Sequence, residues 1–106
     1  MLVGGAAVWG GYEVTTRVIL HNILPEGASI PTNRGELAML MWQNAEKPEP
    51  AAQPAFVDVA DAELAQAAQW CVEQGYMTAE DGKFDPTGWT PKYKVIHIWN
   101  QAFSNK

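Results

Sequence analysis

Hydrophobic positions in the first third of the chain predict an apolar arm, a helix and a loop. Residues 1–11 are apolar and glycine-rich, but they lack the length of a membrane span and the basic start of a signal peptide. We therefore expect a packed N-terminal arm or the edge of a longer protein. Residues 12–23 are dense in β-branched side chains, so helix and strand propensities compete there, and we favour a helix. Residues 24–32 contain two prolines and a glycine, which predict a loop.

A capping pattern marks the start of the next helix. In Asn33-Arg-Gly-Glu36 the Asn33 side chain can accept from the Glu36 amide, and Glu36 can reach back to the Asn33 amide. Apolar residues then follow at helical spacing, namely Leu37, Leu40 and Met41, with the polar Asn44 at the end of the stripe. This pattern predicts a helix that stops near Ala45.

The second half of the chain shows the same order of elements after a proline-rich segment. Residues 48–55 form an extended linker by their proline content. Asp61 is a plausible N-cap and Gly75 a plausible C′ residue of a helix. Its predicted inner face consists of Leu64, Ala68, Cys71 and Val72.

The last helix follows a turn. Asp81-Gly82 predicts a tight turn, and Thr90 followed by Pro91 predicts an N-cap with proline at the first helical position. That helix should run to about Phe103, with an inner face of Val95, Ile98, Trp99 and Ala102.

These elements predict a mainly α fold: two helix–loop–helix repeats with short extended segments, packed into one small helical domain. The expected divisions are a divergent first repeat with its arm at 1–47, the linker at 48–55 and a second repeat at 56–106. Matching Thr32 with Thr90 superposes the apolar stripes, whereas matching Asn33 with Thr90 superposes the caps. The register is therefore open by one residue.

Composition narrows the class of partner. The chain has 106 residues and a formal net charge of −5, so a nucleic-acid backbone would be repelled in most orientations. Its single cysteine cannot form an intramolecular disulfide or a multi-cysteine zinc site. We expect no nucleic-acid partner and no membrane span.

Candidate catalytic residues do not form a pattern. Cys71 lies on an apolar helix stripe, which favours a buried small hydrophobe over a nucleophile. His21 and His97 have no metal-ligating residue three or four positions away. No phosphate loop or nucleophile elbow is present. We therefore expect a protein that is not an enzyme, with no metal and no cofactor.

The motifs of the second half, in their order, resemble an S-layer homology repeat. They are Phe56-Val-Asp-Val59, the helix end Ala67-Ala-Gln-Trp-Cys-Val-Glu-Gln-Gly75, Asp81-Gly-Lys-Phe-Asp-Pro86 and Thr90. In the first half, Asn33-Arg-Gly-Glu36 occupies the place of the family's Thr-Arg-Ala-Glu helix start. The resemblance is good from about residue 30 to residue 103 and poor before it. Two repeats are visible where the family usually has three.

The resemblance implies a noncatalytic module on the bacterial cell surface or in the cell wall, which anchors a larger protein to an anionic wall polysaccharide. It places Arg34 and Glu36 at the ligand, and we expect Arg34→Ala to weaken wall binding without lowering the melting temperature. The alternative from the residues alone is a plain helix cap with an exposed arginine.

Two further groups of residues complete the candidate site. Residues 86–106 carry Lys92, Lys94 and Lys106 and no acid. A basic last helix beside Arg34 can therefore form a local anion site. The alternative is that these lysines lie on a solvated helix face. Trp89 precedes that helix in a loop and is the tryptophan we most expect to be partly exposed, where it can stack on a sugar.

A second function stays open. In the second repeat Pro91 or Lys92 stands at the position of the family's arginine, and a third repeat is missing. Under this alternative, the chain is a protein-interaction or scaffold domain that kept the fold and lost glycan binding. Its partner would be a neighbouring surface protein or a second copy of this chain that completes the repeat bundle.

Overall fold

Four helices make up the part of the chain that the computed structural model describes, residues 14–103. Helix α1 covers residues 14–23, α2 spans Arg34–Asn44, α3 spans Ala62–Glu73 and α4 spans Lys92–Phe103. Apart from two isolated β-bridges, the described residues form no strand. The expected mainly α fold is confirmed. The expected arm at 1–11, the first two residues of the expected helix at 12–23, and Lys106 lie outside the described residues.

The cap of α2 is confirmed in one half and corrected in the other. The Asn33 side chain accepts a hydrogen bond from the Glu36 amide at 2.7 Å, as expected. The Glu36 carboxylate, however, accepts from the amide and the hydroxyl of Thr32, at 2.8 and 3.1 Å, and not from the Asn33 amide. Asn33 is extended and lies in a β-bridge with Trp89, which leaves Thr32 as the donor that Glu36 reaches.

Helices α2 and α3 end in the same way. At the end of α3, Gly75 has φ +84°. The amide of Tyr76 donates to the carbonyl of Cys71, five positions earlier, which is the hydrogen bond of a Schellman cap. The predicted role of Gly75 is confirmed. Helix α2 makes the same turn with Glu46 at φ +71°, although glycine is the residue that suits this conformation.

Helix α4 begins one residue later than predicted. Its first residue is Lys92, and the carbonyl of Pro91 accepts from the Val95 amide at 3.1 Å, so Pro91 and not Thr90 is the cap residue. Thr90 instead donates its amide to the Thr32 carbonyl at 3.0 Å. Helices α2 and α4 start 58 positions apart, at Arg34 and Lys92, which agrees with the register that matches Thr32 with Thr90.

One hydrophobic core joins the two halves. Helices α2 and α3 pack against each other, and the core takes residues from all four helices and from the loop before α4. Trp42, Trp70 and Trp99 are buried, and Trp99 was predicted to face inward. Leu40 is only half-buried, since it lines a surface groove. The largest fully buried side chains are Leu20, Leu37, Met41, Cys71, Phe84 and Val95.

Burial also decides the chemistry of the cysteine. Cys71 is free and has no exposed surface, and its Sγ lies 3.9 Å from the Ala38 carbonyl oxygen. Desolvation raises the pKa of the thiol to about 12, so it is protonated at neutral pH. The prediction of a buried small hydrophobe is confirmed.

The proline-rich segment is held to the helices on both of its sides. Buried Trp42 of α2 donates its indole N–H to the Pro48 carbonyl at 2.8 Å. The Glu73 carboxylate of α3 accepts from the amides of Ala51 and Ala52, at 2.7 and 2.9 Å. These hydrogen bonds fix the path of the segment across the surface of α2 and α3.

Candidate functional site

A crossing of two loops brings the starts of α2 and α4 together. Asn33 and Trp89 form an antiparallel bridge, and the Arg34 amide donates to the Gly88 carbonyl at 2.9 Å. The next amide, that of Gly35, donates to the Pro86 carbonyl at 2.7 Å. A Cβ atom on Gly35 would lie 3.0 Å from that oxygen, so a larger residue there would have to push the Pro86 backbone away by a few tenths of an ångström.

A groove of about 320 Å³ opens beside this crossing. Its walls come from the start of α2, the loop after α3, the loop before α4 and one face of α4. Three of the five residues predicted for a ligand site meet there: Arg34, Trp89 and Lys94. The other lining residues are Tyr76, Met77, Thr78, Thr90, His97, Ile98 and Gln101.

Arg34 both lines the groove and braces the fold. Its Nε donates to the Phe84 carbonyl at 2.9 Å, one terminal nitrogen donates to the Thr78 carbonyl, and the guanidinium carbon lies 4.8 Å from the centre of the Phe84 ring. An arginine has five N–H groups, and the other three have no acceptor among the described residues. Those three N–H groups remain able to bind a ligand, but Arg34 also has a structural part that the sequence pattern did not reveal.

Trp89 is the exposed aromatic residue of the groove. Its side chain is 77% exposed, which confirms the expectation that it is at least partly exposed. The bridge with Asn33 fixes its backbone, so the indole is presented from an ordered segment. An exposed indole on a fixed backbone has a free face for a flat apolar surface and an N–H for a polar group.

Glu36 and Lys92 are not brought to this groove. Glu36 lines a different, more apolar groove of about 550 Å³, together with Met39, Leu40 and Leu64, and its carboxylate is engaged by Thr32. Lys92 is half-buried at the first position of α4 and is not among the residues that line the 320 Å³ groove.

The α4 wall contains two residues that sequence reasoning did not assign to a ligand. His97 was considered only as a metal ligand, and Gln101 was not considered. Both lie on one helix face with Lys94, at positions i, i+3 and i+7. This spacing is the sequence signal for these two residues, because it places an ammonium group, an imidazole and an amide along one face of the helix.

The lining of the groove has a single sign of charge. It contains Arg34, Lys94 and His97 and no carboxylate, although the chain as a whole is acidic. A separate cavity of about 370 Å³ beside the Asp81-Gly82 turn shares Arg34 and takes up Glu80, Asp81 and Asp85. Acidic side chains are thus segregated from the 320 Å³ groove, which is suited to an anion.

The predicted turn at Asp81-Gly82 is confirmed, and it positions a segment that accepts a hydrogen bond from Arg34. Glu80 and Lys83 exchange both backbone hydrogen bonds, at 3.0 and 2.8 Å, while Asp81 and Gly82 have φ +52° and +73°. Positive φ at both central residues is the signature of a type I′ turn. The turn leads directly into Phe84, whose carbonyl accepts from Arg34.

Asp58 holds this segment in place. Its two carboxylate oxygens accept from the amides of Phe84 and Asp85, at 2.9 and 2.7 Å. The hydrogen bond from the Phe84 amide is the largest influence and lowers the pKa of Asp58 below its usual range; desolvation opposes it, and the hydrogen bond from the Asp85 amide adds a smaller lowering. The rings of Phe56 and Phe84 also meet, with centroids 5.6 Å apart.

Metal and nucleophile chemistry find no support in the described part of the chain. No group of three or more histidine, cysteine, aspartate or glutamate side chains within residues 14–103 is arranged to hold a metal ion. The lining of the 320 Å³ groove offers N–H donors, an ammonium group, an imidazole and an exposed indole for noncovalent contacts.

Comparisons add no family to this picture. No protein-family model matches the chain, and neither a curated protein nor a solved structure shows a match to it. Among the residues that the structure describes, none of the helices has both the length and the apolar composition needed to cross a membrane.

Proposed function

We propose that the chain is a noncatalytic, extracellular module of S-layer homology type that binds an anionic cell-wall polysaccharide and anchors a larger protein to the bacterial surface. The observation that carries the proposal is the meeting of Arg34, Lys94 and the exposed Trp89 in one groove without a carboxylate. The bacterial wall as the location rests on the resemblance of the motifs alone.

The chemistry of the groove suits an acidic sugar better than a neutral one. The remaining N–H groups of Arg34 and the ammonium of Lys94 are donors for a carboxylate or phosphate. Trp89 supplies an apolar face beside them, on which the carbon-bound hydrogens of a sugar ring can pack. Gln101 and Thr90 add neutral polar groups of the kind that recognise hydroxyl groups.

The test is sedimentation of the purified protein with Gram-positive wall sacculi, before and after mild acid has removed their secondary polymers. We expect binding to native sacculi and loss of binding to stripped sacculi. Trp89→Ala and Lys94→Gln should each weaken binding to native sacculi by about fivefold or more, which corresponds to about 1 kcal/mol. Arg34→Ala is a poor first variant because it also removes contacts within the protein.

Matched variants outside the groove separate the site from general effects of charge and exposure. Tyr93→Ala removes an aromatic ring that is 61% exposed and does not line the groove. Lys83→Gln removes one positive charge at the exposed turn. Both controls should bind as the wild type does. Equal losses in Lys94→Gln and Lys83→Gln would contradict the groove as the site.

The second candidate is a protein-interaction or scaffold domain. The observation that favours it is the use of Arg34 within the protein, since two of its N–H groups go to the carbonyls of Phe84 and Thr78. Failure to bind native and stripped sacculi alike, together with a dimer in sedimentation velocity, would favour this function. A monomer that binds native sacculi would contradict it.

A further inference from the structure

His97 is the one histidine among the residues that line the groove. It is exposed, lies on α4 one turn after Lys94, and lines the same groove as Arg34 and Trp89. Histidine is the side chain that ordinarily gains or loses its proton between about pH 5 and 8. The groove thus combines the side-chain type that can couple binding to pH with an arginine and a lysine, which are types of side chain that are cationic at neutral pH.

The groups that face His97 from the surrounding elements are identified by the lining of the groove. Lys94 comes from the same helix, Arg34 from α2, and the phenol of Tyr76 from the loop after α3. The loop before α4 contributes Trp89 and Thr90, which do not titrate in this range. No carboxylate lines the groove, so the protein supplies no counter-ion there to a protonated His97.

An anionic ligand would be that counter-ion. Protonated His97 beside two fixed cations is held more favourably when a carboxylate or phosphate occupies the groove. Linkage then requires the converse, that the ligand binds more tightly when His97 carries its proton. The argument rests on the lining of the groove, which brings Arg34 from α2 together with Lys94 and His97 from α4.

We infer that His97 is a specificity-determining residue that makes binding of an anionic saccharide to this groove pH-dependent, with tighter binding in mildly acidic surroundings. The inference rests on the proposed function, because it concerns the same groove. It also extends the class of ligand: the polymer must present its negative charge within reach of α4, and not only at the start of α2.

The experiment compares four forms of the protein on native sacculi at pH 5.5 and pH 7.5. These are the wild type, His97→Gln, His97→Lys and His21→Gln, the last a matched control because His21 is an exposed histidine on α1 outside the groove. The wild type and His21→Gln should bind about three to ten times more tightly at pH 5.5, equivalent to a shift of up to about one pKa unit.

His97→Gln should lose most of this pH dependence and bind as the wild type does at pH 7.5. His97→Lys should bind tightly at both values of pH. Titration of the polymer itself affects all four forms equally, so the difference between forms isolates His97. An identical pH dependence in the wild type and His97→Gln would overturn the inference while leaving the proposed function intact. Absence of wild-type binding at both values of pH would overturn the two together.

Discussion

Arg34 makes contacts within the fold and keeps N–H groups that have no acceptor among the described residues. Its guanidinium donates to the carbonyls of Phe84 and Thr78 and stacks on the Phe84 ring, and three N–H groups remain for an anion. These contacts correct the expectation from the sequence that Arg34→Ala leaves the melting temperature unchanged. We expect Arg34→Ala to lower the free energy of unfolding by about 2 kcal/mol, because two charge-assisted hydrogen bonds and a cation–π contact are lost. Urea unfolding followed by circular dichroism measures this. An unchanged urea midpoint would show that Arg34 contributes nothing to stability.

Asp58 predicts a specific loss of stability in acid. Hydrogen bonds from the amides of Phe84 and Asp85 lower its pKa in the folded protein relative to the unfolded chain. Its contribution is therefore fully present above the unfolded pKa of about 4 and is lost as the pH falls through the folded pKa. Asp58→Asn should lower the urea midpoint at pH 6, and its deficit relative to the wild type should shrink below about pH 4.

The matched control for Asp58 is Asp81→Asn. It removes the same charge at an exposed position where asparagine accepts the positive φ of +52°. Its urea midpoint should stay close to that of the wild type at pH 6. A deficit of Asp58→Asn that is equally large at pH 6 and pH 3 would contradict the assignment of the acid sensitivity to this carboxylate.

At the scale of elements, a single carboxylate of α3 holds the α3 side of the proline-rich segment. Glu73 accepts from the side chain of Gln69 and from the amides of Ala51 and Ala52, and these hydrogen bonds, the one from Gln69 first, lower its pKa. Glu73→Gln replaces one acceptor oxygen by a donor, so we expect the Ala51 and Ala52 amides to exchange hydrogen several-fold faster in NMR.

Glu63→Gln is the control on the same helix. Glu63 makes only an exposed ion pair with Lys47, at 3.6 Å, and pairs of this kind contribute little. Exchange at residues 51 and 52 should be the same in Glu63→Gln as in the wild type. If Glu73→Gln leaves this exchange unchanged, the segment is held by something other than the Glu73 carboxylate.

Local sequence patterns are sufficient to predict the helix ends and the turn. Contacts between residues that are far apart in the sequence could not be predicted in this way. The Asn33 cap, the Gly75 terminator and the Asp81-Gly82 turn each depend on atoms within a few residues, so their sequence patterns are sufficient. The partners of Arg34 lie 44 and 50 residues away, and no local pattern specifies them. Helix α4 starts one residue later than predicted, and the Thr90 amide pairs with Thr32, a residue 58 positions away that the local pattern does not specify.

At the scale of the whole molecule, the crossing of the two loops explains why the candidate site contains residues from both halves. Arg34 belongs to the predicted first repeat, and Trp89 and Lys94 to the second. The chain carries a net charge of −5, yet the groove at this junction carries only positive or neutral side chains. The site therefore depends on the two halves keeping their relative position, which makes the stability of their junction part of the function.

Two equivalent core positions test whether the halves fold as one unit. Leu37 on α2 and Val95 on α4 are 58 positions apart, and neither side chain has exposed surface. We expect Leu37→Ala to destabilise the protein by about 2–4 kcal/mol, with a smaller effect for Val95→Ala, because each leaves a cavity in the shared core. Amide signals of α2 and α4, followed by NMR through a urea titration, should lose intensity at the same midpoint in each variant. Independently folding repeats would instead show a shifted midpoint only in the helix that carries the substitution.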